Sequence, residues 1–161
     1  MQIKSIQFKY LEYENHGQLS ESFRELASFA KKATEMSYAP YSNFYVGAAI
    51  RLSNGQIIKA ANQENASYPC GICAERAALF SLADLFPNNK IEAIAITASN
   101  KANTMISPPS PCGLCRQVMA EFEILNGQNF RLLLCGNNGT VFQFESVKDL
   151  LPLSFDPKFL S

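Results

Sequence analysis

The chain carries little charge and no excess of either sign. Its 14 basic and 14 acidic side chains cancel, and charged residues make up 17% of the total. A nucleic-acid-binding surface needs a basic stripe, so this balance argues against one. No apolar run reaches the length of a membrane span, and Met1-Gln2-Ile3-Lys4-Ser5 lacks the apolar core of a secretory signal. Histidine is almost missing: His16 stands alone, beside Gly17 in a stretch that reads as loop, and is a poor candidate for a metal ligand. There are no repeats, no low-complexity tracts and no linker. These absences lead to the expectation of a cytoplasmic protein with neither membrane nor nucleic acid among its partners. In a compartment that keeps thiols reduced, five cysteines point to metal or catalysis rather than to disulfides.

What is present suits one domain. A length of 161 residues is near the usual domain size, and 47% hydrophobic residues can bury a substantial core. Residues 3–13 alternate loosely and are rich in β-formers, so they read as an edge strand or an extended arm. Ser20 can cap a helix running to about Met36, in which Phe23, Leu26, Phe29, Ala30 and Ala33 form an apolar stripe. Pro40 to Asn43 is a turn signal. Tyr45–Leu52 and Gln56–Ala60 flank Asn54-Gly55, the strongest short-range hairpin signal. Cys73 to Leu85 reads as a helix, Ile91–Thr97 as a buried strand, and Cys112 to about Leu125 as a helix after a Ser/Pro-rich loop. Phe130–Cys135 and Thr140–Phe144 read as strands, and Val147–Leu150 as a last short helix. A hairpin followed by β-α-β units implies one mixed sheet with helices on both faces.

The chemistry is concentrated in Cys73-Ala74-Glu75 and Pro111-Cys112-Gly113-Leu114-Cys115. Cys112 and Cys115 share a face of a helix's first turn, and Cys73 stands where another helix begins. Helix N-termini stabilise thiolates. With Cys70 as a fourth ligand, Cys70-x-x-Cys73 and Cys112-x-x-Cys115 also have the spacing of a closed structural zinc site. Three features favour an open, three-ligand centre instead. Each cysteine pair leads into a long apolar helix, the ample core needs no metal staple, and Glu75 suits base chemistry better than packing. For Cys73 and Glu75 to reach one metal, Cys73 must lie at the non-helical edge of its helix, because positions two apart face different ways.

These two elements match the pattern of zinc deaminases: three ligands, a glutamate that is not a ligand, and a Pro-Cys-x-x-Cys segment. The flanks Tyr38–Ala49, Asn62–Pro69, Gly71–Arg76 and Cys115–Val118 resemble the small homotetrameric cytidine deaminases. The likeness spans about residues 19–157 and leaves the first 18 residues outside.

The resemblance implies a three-layer α/β/α fold with a mixed five-stranded sheet. It implies residues 19–161 as a single catalytic domain, preceded by residues 1–18 as an arm or edge strand. It further implies hydrolytic deamination of cytidine and 2′-deoxycytidine in pyrimidine salvage. Zn²⁺ would be held by Cys73, Cys112 and Cys115, with Glu75 as proton shuttle and Arg76 offsetting the excess negative charge of three thiolates. Phe44 would pack against the pyrimidine, Asn62 and Glu64 would bind the ribose hydroxyls, and the backbone near Ala74 and Cys112 would read the base edge. Ala66 and Tyr68 would reach the nucleoside's 5′ end from a neighbouring subunit, and Phe155 would close a neighbour's pocket, so that a homotetramer shares its active sites. Cys70 is then a packing substitute and Cys135 inert core. A deaminase of another amino-pyrimidine nucleoside, of the nucleoside-antibiotic type, remains an alternative, as does a non-enzymatic four-cysteine module.

Overall fold

A computed structural model describes residues 1–82, 85–100 and 107–160. In chain order the strands are β1 (Leu11–Tyr13), β2 (Phe44–Leu52), β3 (Ile57–Ala61), β4 (Ile91–Asn100), β5 (Arg131–Cys135) and β6 (Val141–Phe144). The helices are α1 (Glu21–Ala33), α2 (Ala74–Phe80) and α3 (Gly113–Asn126). The strands form one sheet in the order β1-β6-β5-β4-β2-β3. Only β4 and β5 run parallel; every other neighbouring pair is antiparallel.

Alternation along the strands decides which helix covers which face. Ala49 of β2, Ala93 and Ala95 of β4, and Leu133 and Cys135 of β5 meet Leu26, Ala27 and Ala30 of α1. The opposite set (Ala48, Ile50, Leu52, Ile94, Ile96, Leu132 and Leu134) packs against Ala74, Ala78 and Leu79 of α2 and Met119 and Ala120 of α3. The expected three layers are present, with one helix on one face and two on the other.

The approach of α1 to β2 is close enough to require Gly47. A Cβ there would lie 2.1 Å from the Ala30 carbonyl oxygen and 2.8 Å from the Thr34 nitrogen. The β2–β3 hairpin closes as Asn54-Gly55 predicts, with Gly55 at φ 83°. Ser20 accepts from the Phe23 amide to cap α1, and Gly127 ends α3 at φ 69° in the left-handed conformation.

The structure corrects three expectations. The sheet has six strands, not five, because Leu11–Tyr13 pairs with Val141–Gln143 of β6. Of the stretch 3–13, only those three residues form a strand, since β6 is four residues long and offers a short edge. Tyr10, just before β1, instead lays its ring against Phe142 and Phe144, at 5.0 and 5.4 Å between centroids. Helix α2 ends at Phe80 rather than Leu85, where the Ser81 hydroxyl donates back to the Ala78 carbonyl at 2.8 Å and competes with the helical ladder. The short helix at Val147–Leu150 and the end of the first helix, Thr34–Met36, are 3₁₀ turns.

Candidate metal centre and substrate cavity

Cys73 and Cys112 occupy equivalent places, each the non-helical residue immediately before its helix. Cys73 precedes α2 with φ −75° and ψ 153°, and Cys112 precedes α3 with φ −68° and ψ 165°. Cys73 thus takes the edge position that a shared site with Glu75 requires. Cys115, in the first turn of α3, completes a group of three sulfurs that all lie within 4.8 Å of one another. Two separations are 4.0 Å (Cys73–Cys112) and 3.4 Å (Cys112–Cys115). Zn–S bonds of about 2.3 Å in tetrahedral array put sulfurs about 3.8 Å apart, so the donor set fits zinc. Among the described residues the group has no fourth member: Cys70 is exposed in the 3₁₀ turn Tyr68–Cys70 and does not belong to it.

The electrostatics of the cluster favour a thiolate at Cys73. A hydrogen bond from the Cys115 thiol, seconded by Arg76 and Cys112, holds the Cys73 thiol far below the ordinary thiol range, despite burial acting the other way. As donor in that bond, Cys115 is pushed correspondingly upward. Burial disfavours charge on Arg76, yet Cys73 and then Cys115 keep its guanidinium firmly protonated. Its Nε is buried without a hydrogen-bond partner among the described residues. Glu75 is 4% exposed. Burial, with the neighbouring Cys73 charge, raises its carboxyl above the usual range.

Beside the sulfurs lies a cavity of about 360 Å³. Cys73, Cys112 and Glu75 form one wall, and Phe44, Asn62 and Glu64 line it as well. The stretch 62–64 is brought here by backbone pairing. Gln63 exchanges two hydrogen bonds with Ile72, both 2.9 Å, and Glu64 donates from its amide to the Tyr38 carbonyl at 2.8 Å. The Asn62 side chain extends the strand pairing: Oδ1 accepts from the Val46 amide at 2.8 Å, and Nδ2 donates to the Phe44 carbonyl at 2.9 Å. Among the described residues, the second N–H of that amide has no partner. The Glu64 carboxylate accepts from the Tyr41 and Ser42 amides and from the Ser42 hydroxyl. The hydroxyl first, then the two amides, keep its pKa below the ordinary value.

The other sequence-predicted residues fall elsewhere. Ala74 is fully buried at the start of α2. Tyr68 is 76% exposed and lines a neighbouring hollow of about 310 Å³ with Tyr41, Ser42 and Glu64. Ala66 and Phe155 are exposed and do not line this cavity. Ser42, Val46, Ile96, Pro109 and Ser110 line it without having been singled out. Ser42 stood within the resembling Tyr38–Ala49 segment, but nothing in the sequence shows that its hydroxyl meets Glu64. His16 is half-buried rather than exposed, its pKa lowered by burial and then by Lys31. Cys135 is core, 2% exposed, its thiol pushed up to about 12 by burial.

Comparison with known proteins agrees with this geometry. The family model for the cytidine and deoxycytidylate deaminase zinc-binding region matches residues 20–127. A cytidine deaminase of Halalkalibacterium halodurans is 42% identical over 126 residues, 78% of this chain and 88% of its own. One from Sporosarcina psychrophila is 39% identical over 138 residues, 85% of this chain and 93% of its own. The crystal structure of cytidine deaminase from Burkholderia pseudomallei superimposes with a TM-score of 0.71 at 40% identity, over 85% of this chain and 100% of that one. The chain belongs to the cytidine and deoxycytidylate deaminase zinc-binding family.

Proposed function

We infer that this protein is a zinc-dependent hydrolase that converts cytidine and 2′-deoxycytidine to uridine and 2′-deoxyuridine with release of ammonia. The observation that carries the reading is a single cavity lined by Cys73, Cys112 and Glu75 together with Phe44, Asn62 and Glu64. Cys73, Cys112 and Cys115 would hold Zn²⁺, which when bound would supply Lewis-acid activation of the water that attacks C4.

The chain's own residues do the rest. Glu75 takes a proton from the attacking water and places it on ring N3. It then carries a second proton to the exocyclic amine, which departs as ammonia while C4 becomes a carbonyl. Its burial suits this role, because a carboxylate that holds protons more tightly is the stronger base when ionised. Arg76, beside Cys73 and Cys115, offsets thiolate charge that would otherwise make the water less acidic. Phe44 packs on the pyrimidine face, and the main chain at Ala74 and Cys112 meets the base edge. Among the described residues Asn62 keeps one N–H without a partner, available to a ribose hydroxyl. Glu64, which already accepts three hydrogen bonds, keeps about one lone-pair site for another.

No lysine or arginine lines the cavity among the described residues, which supports a nucleoside over a nucleotide. Ala66, Tyr68 and Phe155 lie off the cavity of their own chain, which supports their serving a neighbouring subunit in a homotetramer. We assign residues 19–161 to one catalytic domain, residues 1–18 to an arm, and the protein to cytoplasmic pyrimidine salvage. Among the described residues no helix is long and apolar enough to cross a membrane.

The test is the loss of ultraviolet absorbance with cytidine, deoxycytidine, cytosine and cytidine monophosphate in parallel. Turnover is expected for the two nucleosides, and Glu75→Ala is expected to abolish it while zinc stays bound. Zinc-loaded protein that leaves both nucleosides intact would overturn the reading.

A further inference from the structure

Arg116 follows the last sulfur ligand, and its side chain turns back toward the loop that leads into α3. Its backbone N–H donates to the Cys112 carbonyl at 3.0 Å, while its Nε donates to the Pro111 carbonyl at 2.8 Å. One residue thereby holds the carbonyls on both sides of the Cys112 Cα. The second arm of the same guanidinium, Nη1, donates to the Leu150 carbonyl at 2.8 Å. The next residue, Gln117, donates from Nε2 to the Phe155 carbonyl at 2.9 Å. The C-terminal segment is thus tied at Leu150 and again at Phe155 to the first turns of the helix that carries Cys115. Glu123, farther along α3, fixes where that segment departs, accepting from the Ser146 hydroxyl at 2.7 Å and the Val147 amide at 3.2 Å.

We propose that Arg116 is a positioning residue for two parts of the site at once: it fixes the main chain that presents Cys112, and it sets the course of the tail that presents Phe155. A planar guanidinium with donors diverging from a rigid fork can serve two carbonyls in different directions, whereas a single ammonium serves one well. Hydrogen bonds from a charged donor are also stronger than neutral ones. The groups that orient a metal's ligands govern its retention, so release of zinc should register the Pro111 contact. The position of Phe155 should register in substrate binding. The Phe155 half rests on the deaminase reading above; the Cys112 half rests only on the three-sulfur cluster.

The experiment compares zinc-loaded Arg116→Met, Arg116→Lys, Gln117→Leu and Leu26→Ala with the parent. It follows transfer of zinc to excess chromogenic chelator, and KM and kcat for cytidine. Arg116→Met keeps the apolar stem and loses the donors. It should release zinc about tenfold faster and raise KM about tenfold with a smaller change in kcat. Arg116→Lys should restore one of the two parameters but not both. Gln117→Leu should raise KM while zinc leaves at the parent rate. Leu26→Ala removes buried core from α1, on the sheet face opposite α2 and α3; despite its lower Tm it should release zinc at the parent rate.

The proposal is overturned if Arg116→Met matches the parent in both zinc release and KM. It is equally overturned if Leu26→Ala at equal loss of Tm releases zinc as fast, since Arg116 would then be one more stabilising residue. If Arg116→Met does not fold, the Lys and Gln117→Leu variants decide: parent-like behaviour of both overturns the proposal, and the split described supports it. If the parent does not turn over cytidine, the deaminase reading and the Phe155 half fail together. Faster zinc release from Arg116→Met than from Leu26→Ala would still uphold the Cys112 half.

Discussion

The Ser42 hydroxyl donates to the Glu64 carboxylate, and the same oxygen accepts from the Phe44 amide at 3.0 Å. Ser42 thus joins the carboxylate assigned to the sugar to the strand residue assigned to the base. Ser42→Ala leaves Glu64 its two backbone partners but frees the carboxylate to turn. Loss of one hydrogen bond to a charged group, about 1.5–3 kcal/mol at most, should raise KM for cytidine about tenfold, with little change in kcat. Steady-state kinetics across a substrate range checks this. An unchanged KM would remove Ser42 from the account.

Arg76 sits against the sulfurs of Cys73 and Cys115, where burial disfavours its charge but the thiolates retain it. Arg76→Ala should lower zinc affinity or turnover by roughly 10–100-fold, the scale typical of groups that support metal ligands. Zinc titration against a competing chelator, together with kcat, reads both. If neither changes, the excess thiolate charge is offset elsewhere, with the start of α3 the next candidate.

Gly47→Ala should destabilise the fold rather than the chemistry. The added methyl would meet two backbone atoms, the Ala30 carbonyl oxygen and the Thr34 nitrogen, which cannot rotate away. Overpacking of this kind costs about 1–3 kcal/mol, visible as a lower urea midpoint. Helix α1 would have to lift from the sheet, so the α1 face should lose amide-exchange protection before the α2/α3 face.

Glu123 gives a pH dependence with a definite sign. It is 2% exposed, and burial raises its carboxyl above 4.5, against the lowering effect of Ser146 and the Val147 and Phe130 amides. A raised carboxyl means that the folded state binds more protons than the unfolded chain above pH 4.5. Stability from this group is therefore present at low pH and falls as pH rises through the folded-state value. Glu123→Gln should flatten this part of the profile. Denaturant midpoints between pH 4 and pH 8 would show it, and parallel profiles for parent and variant would exclude the effect.

Local chemistry made much of this protein legible in its sequence. Asn54-Gly55 announces a hairpin because the turn accepts a residue at positive φ, and the structure has Gly55 at 83°. The stripe of α1, the buried runs of β4 and β5 and the cap at Ser20 follow from periodicities of 3.6 and 2. Cys112-x-x-Cys115 at the start of a helix, with Cys73 at the start of another, pointed to the three sulfurs that the structure brings together. The boundaries were less legible: β1 shrank to three residues for want of a longer β6, and α2 stopped where Ser81 bonds back to Ala78.

Only the tertiary structure could decide relationships between residues far apart in the chain. That Cys70 stays outside the cluster depends on the 3₁₀ turn at Tyr68–Cys70, which two Cys-x-x-Cys pairs of equal spacing do not reveal. That Ser42 holds Glu64, and that Arg116 clasps both Pro111 and Leu150, depends on segments brought together by the sheet and by α3. Spacing records which groups lie near one another along a helix or strand. Partners across elements are chosen by packing and by the need to satisfy buried polar atoms, and those are properties of the assembled chain.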